Sequence, residues 1–326
     1  MGIIYSCRHC QTHILMSNQE SSLSHSPSVD ISKTKPLSQH TQSNHLQFTF
    51  QGTYFNKCKE GFGIITWSNK STYKGNFTNN LANGYGIYTD PAIGRYEGEY
   101  FNDKQQGYGI YIHITNNTYE GEWSNEKQEG IGVEQWKDGS LYEGEFYEGK
   151  KHGMGKYIFP NKDIYCGEWK VNLMSGYGIY YFKCGNIYIG EWLNSVKHGY
   201  GELYCANGNC YFGFFENNLP HGVFIYYKND TEKIMVGFKV NGKLNGLCRT
   251  FVNKNDNVGR IAVFVNNKKE KEIKIEKAFQ ENYEEYFSNY VSETQKEFLW
   301  YLKKERKYFE NIVNGRIKEK HEMTVI

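Results

Sequence analysis

The sequence lacks the features that mark several classes of protein. Its 326 residues contain no apolar run of about 18 residues, so no segment is predicted to cross a membrane as a helix. The formal net charge is only +2, which gives no support to nucleic acid or another polyanion as the main partner. Eight cysteines are present, but their spacing forms no disulfide framework and no secretory signal peptide precedes them. We therefore expect reduced thiols in a cytoplasmic protein.

A catalytic constellation is also lacking. No segment offers a nucleophile, a base and a group that orients the base, so we expect neither enzymatic activity nor a cofactor. Pairs of the form Gly-x-Gly recur, but none is followed by the third glycine and helix of a dinucleotide-binding fingerprint. Paired carboxylates such as Glu97 and Glu99 are predicted to lie on a solvated strand face, where they favour solubility rather than acid–base chemistry.

What the chain has instead is a repeat of 23 residues. Each copy opens with aromatic-x-Gly-x-aromatic and reaches a Gly-x-Gly pair eleven residues later, as between Tyr142 and Gly153. A ninth, weaker copy opens at Met235 after a step of 24 residues. Such self-similarity predicts an array that forms one quasi-linear unit. The opening aromatic residues are Phe50, Tyr73, Tyr96, Tyr119, Tyr142, Tyr165, Tyr188 and Tyr211.

Each copy is predicted to form a β-hairpin. Alternate residues of a strand share a face, so Tyr142, Gly144 and Phe146 lie opposite Glu143 and Glu145. A polar bend and a second strand follow, and turn residues then end the copy. Because each glycine holds a fixed phase relative to an aromatic residue, we infer that the ring of one strand lies over bare glycine backbone of a neighbour.

These residues resemble the MORN repeat family. The family pattern reads roughly Tyr-Glu-Gly-Glu-Trp, a polar bend with Gly-Lys, and then His-Gly-x-Gly; the copies at Tyr142 and Tyr188 match it closely. The resemblance covers about residues 50–251 and departs at Phe224 and Cys248, which replace the second glycine of the pair. It implies a mainly β fold, namely a single-layer elongated antiparallel β-sheet solenoid of about nine 23-residue β-hairpin repeats, here followed by C-terminal α-helices.

The sequence divides into three regions. Residues 1–46 are rich in Ser, Gln and His beyond residue 17 and are predicted to form a flexible tether, residues 47–267 form the repeat array, and residues 268–326 form a charged amphipathic helical segment. Helices are expected near 269–291 and 293–314. They either cap the end of the sheet or bind a partner or a second copy of the chain. Residues 259–265 are expected to form the last strand.

The N-terminal tip carries a candidate lipidation site. Gly2 and Ser6 fit the N-myristoylation pattern, and Cys7 and Cys10 stand where a palmitoyl chain would supply the second signal that stable anchoring needs. A metal site built from Cys7, Cys10 and His13 is the weaker reading, because no second ligand pair follows. We therefore expect no metal, and the three in-phase histidines (His152, His198 and His221) are assigned structural roles in the bends.

Basic bends are the remaining candidate ligand feature. Relatives of this family have been linked to phosphoinositides, which makes the bend lysines candidate contacts for lipid headgroups. The alternative is an ordinary solvated bend. The candidate residues are Lys57, Lys59, Lys150, Lys151 and Lys197.

The expected function is that of a scaffold. The leading hypothesis is a non-catalytic protein tethered by acylation to a cytoplasmic membrane face and linking that membrane to cytoskeletal or membrane-bound protein partners. The resemblance also implies two alternatives, a structural component of the ciliary axoneme related to radial spokes, and a phosphoinositide-binding regulatory subunit of a phosphoinositide enzyme. Some relatives carry a lipid kinase or methyltransferase domain beside the repeats, and no residues remain here for either.

Overall fold

The repeating element is an antiparallel β-hairpin. The computed structural model describes residues 47–253, 255–256, 258–273 and 310–316, and these fall into two units that divide between Ser175 and Gly176. The N-terminal unit contains β1 (Phe48–Phe55), β2 (Cys58–Trp67), β3 (Thr72–Thr78), β4 (Leu81–Asp90), β5 (Gly94–Phe101), β6 (Lys104–His113), β7 (Thr118–Ser124), β8 (Lys127–Gln135), β9 (Leu141–Tyr147), β10 (Lys150–Ile158) and β11 (Ile164–Lys170).

Strand β12 (Leu173–Tyr181) crosses the division, and the C-terminal unit continues with strands and one helix. The helix, α1, spans residues 310–316, and a short 3-10 turn lies at Asn229–Thr231. The strands are β13 (Ile187–Leu193), β14 (Val196–Tyr204), β15 (Cys210–Glu216), β16 (Leu219–Lys228), β17 (Lys233–Val240), β18 (Lys243–Phe251), β19 (Arg260–Val265) and β20 (Lys268–Ile273).

Each hairpin contains a β-bulge that adjusts its register. In the β9–β10 hairpin Tyr142 faces Tyr157 and Gly144 faces Gly155, but beyond the bulge Phe146 faces Lys151. Gly153, inside the bulge, has φ of +53°, a conformation that favours glycine. This requirement explains the first glycine of each Gly-x-Gly pair.

The hairpin turns have two residues, both with positive φ. Examples are Asn79–Asn80 (51° and 74°) and Val171–Asn172 (53° and 66°). This is the geometry of a type I′ turn, which favours Asn, Asp and Gly. In addition, the Lys151 N–H donates to Asn172 Oδ1 at 2.8 Å, which ties one hairpin to the turn of the next. Many of the asparagines in the sequence are therefore structural.

One face of the sheet is a ladder of aromatic rings. We call this face, which carries Tyr142, Gly144 and Phe146, the inner face. The Tyr142 ring meets Phe146 of its own repeat at 5.1 Å and Trp169 of the next repeat at 5.4 Å, both edge to face. The same pair of contacts recurs through the N-terminal unit and begins again at Tyr188 in the C-terminal unit. Edge-to-face packing stabilises aromatic pairs by about 0.5–1.5 kcal/mol beyond burial.

The glycines of the inner face allow these rings to approach the backbone. A Cβ atom added to Gly144 would lie 2.5 Å from Gly155 Cα and 2.7 Å from Tyr142 Oη. The Tyr142 hydroxyl itself donates to the Glu145 carbonyl oxygen at 2.9 Å, and equivalent tyrosines make the same bond. The prediction that rings cover bare glycine backbone is confirmed, as is the fold class of antiparallel β-hairpin repeats.

The C-terminal unit also has a core on its other face, which we call the outer face. Residues of β13–β20 on this face form an apolar cluster together with Val313 of α1, which is buried, and with Ile312 packed beside it. The helix is fixed further by Tyr204 Oη, which donates to the Arg316 carbonyl oxygen at 3.1 Å, and by Arg316 Nε, which lies 3.4 Å from Glu202 Oε1.

The C-terminal end differs from the prediction in two respects. Residues 259–265 were expected to form the last strand, but β20 follows and pairs with β19. The first helix was expected to start near residue 269, which is wrong, because the backbone groups of β19 and the burial of Ile273 favour a strand there. Residues 274–309, which hold most of both predicted helices, lie outside the described part of the chain; α1 falls at the end of the second.

The cysteines also differ partly from expectation. Free thiols are found at Cys58, Cys166, Cys205, Cys210 and Cys248. Cys184, however, is disulfide-bonded, which the spacing in the sequence did not predict.

Candidate functional site

The candidate lipidation residues lie outside the described part of the chain. Gly2, Cys7 and Cys10 belong to residues 1–46, for which the structure gives no geometry. Within the described residues, no helix is long and apolar enough to span a bilayer. The acylation hypothesis therefore stays a prediction from the sequence.

The candidate headgroup lysines do not lie together on one surface. Lys57 and Lys150 are exposed beside the turns, as expected of basic bends. Lys59 and Lys151 are buried, and Lys197 is half-buried. The structure therefore leaves Lys57 and Lys150 as the accessible candidates and moves the other three into the aromatic ladder.

Lys151 shows why. Its register partner is Phe146, so its side chain is on the inner face and only 1% exposed. The ammonium lies 4.6 Å from the Trp136 ring centre and 3.8 Å from Glu134 Oε2. Burial lowers the pKa of Lys151, and the charge of Glu134 opposes that change. Lys151 cannot meet a lipid headgroup from this position, so the assignment to a solvated bend was wrong.

Three other lysines, Lys59, Lys197 and Lys239, also have their ammonium groups beside inner-face aromatic rings. Lys59 lies over Phe48, Phe50 and Phe77 at 5.3–5.8 Å, and Lys197 lies 5.1 Å from both Phe182 and Tyr188. Burial lowers the pKa of Lys197 to about 8.

Lys239, which sequence reasoning missed, lies 5.0 Å from Phe224 and 5.2 Å from Tyr211, and burial lowers its pKa to about 8. A signal was available for Lys151, because it lies an even number of residues before the inner-face Tyr157 and so shares its face.

The three in-phase histidines, His152, His198 and His221, lie near the start of the second strand of their hairpins. Among the described residues no group of three or more His, Cys, Asp or Glu side chains has the arrangement to hold a metal ion. His152 packs its ring 5.7 Å from Tyr147, and His221 Nδ1 lies 3.1 Å from Glu216 Oε2. These contacts within a hairpin agree with a structural role.

The paired glutamates have a role that sequence reasoning missed. In the repeat at Tyr142, Glu145 Oε1 accepts the N–H of Met154 at 2.8 Å, just after the bulge glycine. Glu99, Glu122 and Glu191 make the same bond. The second carboxylate of each pair therefore stabilises the bulge rather than acting only as a solvated charge.

The outer face of the N-terminal unit is exposed and carries a regular pattern. The middle residue of each Gly-x-Gly triplet is half or more exposed there, for example Tyr108 at 52%. Tyr85 Oη donates to Glu97 Oε1 at 2.6 Å, and Tyr108 Oη donates to Glu120 Oε1 at 2.8 Å. Rows of apolar side chains therefore alternate with carboxylates, a surface with the composition of a protein contact. The apolar members are Phe62, Tyr85, Tyr108, Ile131 and Met154.

Comparison with protein families identifies the repeats. A family model described as "MORN repeat" matches eight segments, namely residues 50–72, 73–92, 96–118, 119–141, 142–164, 165–186, 188–210 and 211–228. The hairpin that opens at Met235 lies beyond the last match, although its register also shifts between Gly237 and Lys239. A search of curated proteins found no match.

Three solved structures that resemble parts of the chain are distant from it in sequence. The SAS-4 (dCPAP) TCP domain of Drosophila melanogaster, solved with a proline-rich motif of Ana2 (dSTIL), is 13% identical over 47% of this chain and 84% of that chain, with a TM-score of 0.30. A mutant TCP10 domain of Danio rerio CPAP is 11% identical over 55% and 83%, with a TM-score of 0.32. A streptogramin B lyase is 11% identical over 68% and 86%, with a TM-score of 0.14. These values carry no functional argument.

Proposed function

The chain belongs to the family of MORN repeat proteins, and from this premise we propose that it is a non-enzymatic scaffold held at a cytoplasmic membrane face by N-terminal acylation. The tether would consist of a myristoyl group on Gly2 and a palmitoyl group on Cys7 or Cys10. The array would present its outer surface to cytoskeletal or membrane-bound proteins.

The observation that carries the scaffold proposal is the different use of the two sheet faces. The inner face is filled by the aromatic ladder, which leaves little of it to a partner. The outer face of the N-terminal unit exposes apolar side chains beside carboxylates instead. Aromatic side chains are enriched at protein interfaces, and the adjacent carboxylates favour a partner with basic residues.

The experiment that tests the tether compares the full chain with Gly2→Ala in cells fed a myristate analogue. We expect the wild type to be labelled and to sediment with membranes, and Gly2→Ala to be unlabelled and soluble. A Ser17→Ala chain, altered outside the acylation pattern, is the control. If neither chain is labelled and both stay soluble, the tether is refuted. If both instead follow axonemes, the alternative of a ciliary structural component is favoured.

A contribution from phosphoinositides is a second proposal, supported by the exposure of Lys57 and Lys150. It is tested by flotation of the protein with liposomes that contain a phosphoinositide. Changing Lys57 and Lys150 to Glu should weaken binding by at least about thirtyfold, because each basic residue near an anionic surface contributes about 1 kcal/mol. Lys137→Glu, an exposed lysine at the opposite end of a hairpin, is the matched control. Equal flotation of all three proteins would remove headgroup binding from the proposal.

A further inference from the structure

At one inner-face position, next to the hairpin turn, the size and charge of the side chain differ from repeat to repeat. Lysine occupies it in three repeats, whereas shorter or uncharged side chains occupy it in the others. The lysines differ in their surroundings, and Lys59 in particular extends toward the following repeat. The residues at this position, 23 apart, are Lys59, Ala82, Gln105, Gln128, Lys151, Met174 and Lys197.

The ammonium of Lys59 lies between the rings of its own hairpin and of the next hairpin, 5.3 Å from the centre of the Phe48 ring and 5.8 Å from that of Phe50. It lies 5.4 Å from the centre of the Phe77 ring, and Phe77 is the register partner of Ala82. The carboxylate of Asp103 attracts it: burial lowers the pKa of Lys59, whereas the charge of Asp103 raises it. The Lys59 ammonium therefore lies among aromatic rings, where the charge of the buried Asp103 carboxylate also acts on it.

One repeat later an aromatic ring and a carboxylate stand at the corresponding positions, but the lysine is absent and Gln105 takes the place of Ala82. Shifting by 23 residues replaces Lys59 by Ala82, Phe77 by Tyr100, and Asp103 by Glu126. Ala82 is completely buried and its side chain ends at Cβ, so it supplies no cation. Ala82 itself is replaced by Gln105, which faces Tyr100 across the hairpin.

Three polar atoms around this place lack a hydrogen-bond partner among the described residues. They are Tyr100 Oη, Gln105 Oε1 and Glu126 Oε1, all buried. Tyr100 is 4% exposed and Gln105 8%, while the backbone N–H of Glu126 donates to the Gln105 carbonyl oxygen at 3.0 Å. Buried polar groups are normally satisfied, so three unpaired atoms on these adjacent residues indicate that a partner is missing.

We propose that Tyr100, Gln105 and Glu126 form a binding site for a primary ammonium group, in the place that the Lys59 ammonium fills one repeat earlier. A primary ammonium carries three N–H donors and one positive charge, which match two oxygen acceptors, a carboxylate and an aromatic ring. The group can come from a polyamine or from a lysine side chain of a partner protein.

The charges around Glu126 and its position at a hairpin turn agree with an ammonium-binding site. Burial raises the pKa of the Glu126 carboxyl group, the charge of Lys104 lowers it and the charge of Asp103 raises it, so a bound cation would add to the effect of Lys104. Glu126 lies at a hairpin turn and is half-buried, so its side chain reaches the surface although Oε1 itself is buried. The adjacent Lys104 ammonium lies 3.3 Å from Asn125 Oδ1, on the exposed side of that turn.

The test is a calorimetric titration of the full chain with n-butylammonium chloride, an analogue of the lysine side-chain end. We expect saturable binding that weakens at least tenfold in Glu126→Gln; this change leaves the turn backbone, with φ of +69° at residue 126, undisturbed. Glu148→Gln, at an exposed turn carboxylate, should bind as the wild type does. n-Butanol, which has the same chain without the charge, should not bind.

Ala82→Lys provides an independent arm, because it supplies the ammonium from within the chain. Butylammonium binding should then be lost and the melting temperature should rise relative to Ala82→Met. No saturable binding, equal affinity in Glu126→Gln, or retained binding in a folded Ala82→Lys chain would each overturn the site, as expected if water alone satisfies these atoms. Tighter binding of spermidine than of N-acetyl-lysine methylamide favours a polyamine, and comparable binding favours a lysine side chain.

Discussion

In the N-terminal unit the outer-face position after the opening tyrosine carries Glu97, Glu120 and Glu143, whereas in the C-terminal unit it carries Ile189, Phe212 and Val236. The edge-to-face pair of the inner-face ladder nevertheless occurs in both units, at Tyr142 and at Tyr188. The apolar version of the outer face forms a cluster that includes Val313 of α1, and the acidic version is exposed. The comparison teaches that the ladder alone specifies a hairpin repeat, and that the outer face is free to become either a second core or a contact surface.

The largest effect should come from removing a ladder tyrosine, which tests whether the inner face is equivalent in the two units. Tyr142→Ala and Tyr188→Ala should each lower the free energy of unfolding by about 3–5 kcal/mol, because a buried ring and two edge-to-face contacts are lost. Urea denaturation followed by circular dichroism measures the change. A loss confined to one of the two variants would break the proposed equivalence.

The next effect tests the difference between the outer faces. Val313→Asp should destabilise the C-terminal unit by about 3–5 kcal/mol, because a buried carboxylate is left without a partner. The matched change Ile131→Asp, on the exposed outer face of the N-terminal unit, should cost less than about 0.5 kcal/mol. Hydrogen exchange resolved by residue would locate the loss in β13–β20 for the first variant. Similar losses for both variants would contradict the assignment of a second core.

A smaller effect is expected for the inner-face lysines and depends on pH. Burial lowers the pKa of Lys239 to about 8, below its usual 10.5, so between these values the unfolded chain binds more protons and stability rises with pH. Lys239→Met should stabilise the chain at pH 7 by roughly 2 kcal/mol and flatten the rise between pH 8 and 9.5. Denaturation at pH 7, 8 and 9.5 measures this slope; an unchanged slope would show that Lys239 is charged in the folded chain throughout.

The smallest effect concerns the bulge. Glu145→Ala should cost about 1 kcal/mol, because the Met154 N–H loses its carboxylate acceptor. The equivalent position in the repeat that opens at Tyr211 is Phe214, which has no carboxylate, and Phe214→Ala should leave its bulge unaffected. Thermal melts of both variants, with exchange of the Met154 amide, separate the two cases. Unchanged exchange at Met154 would show that the carboxylate contributes nothing there.

The sequence predicts the parts of this structure that repeat. The period, the two strands of each copy and the approach of Tyr142 to Gly144 follow from residue phase alone, because a strand has only two faces. The packing of α1 against the outer face could not be predicted, because it joins residues far apart in the sequence, such as Tyr204 and Arg316, which are 112 residues apart. The inner-face position of Lys151 could have been found from its phase, but charged residues are seldom fully buried, and the bend was therefore assigned to solvent.

The bulge and turn in every hairpin have a consequence for how the array changes in length. Each repeat returns the backbone to the same phase, so removing residues 119–141 would join Thr118 to Tyr142 and leave every ring opposite its glycine. Removing one residue fewer would transfer all later rings to the opposite face. Insertions and deletions in such a gene are therefore tolerated when they add or remove whole 23-residue repeats. Any other length must be compensated by a loop that takes up the extra or missing residues. The single 24-residue step, from Tyr211 to Met235, has the 3-10 turn Asn229–Thr231 where the extra residue can be accommodated.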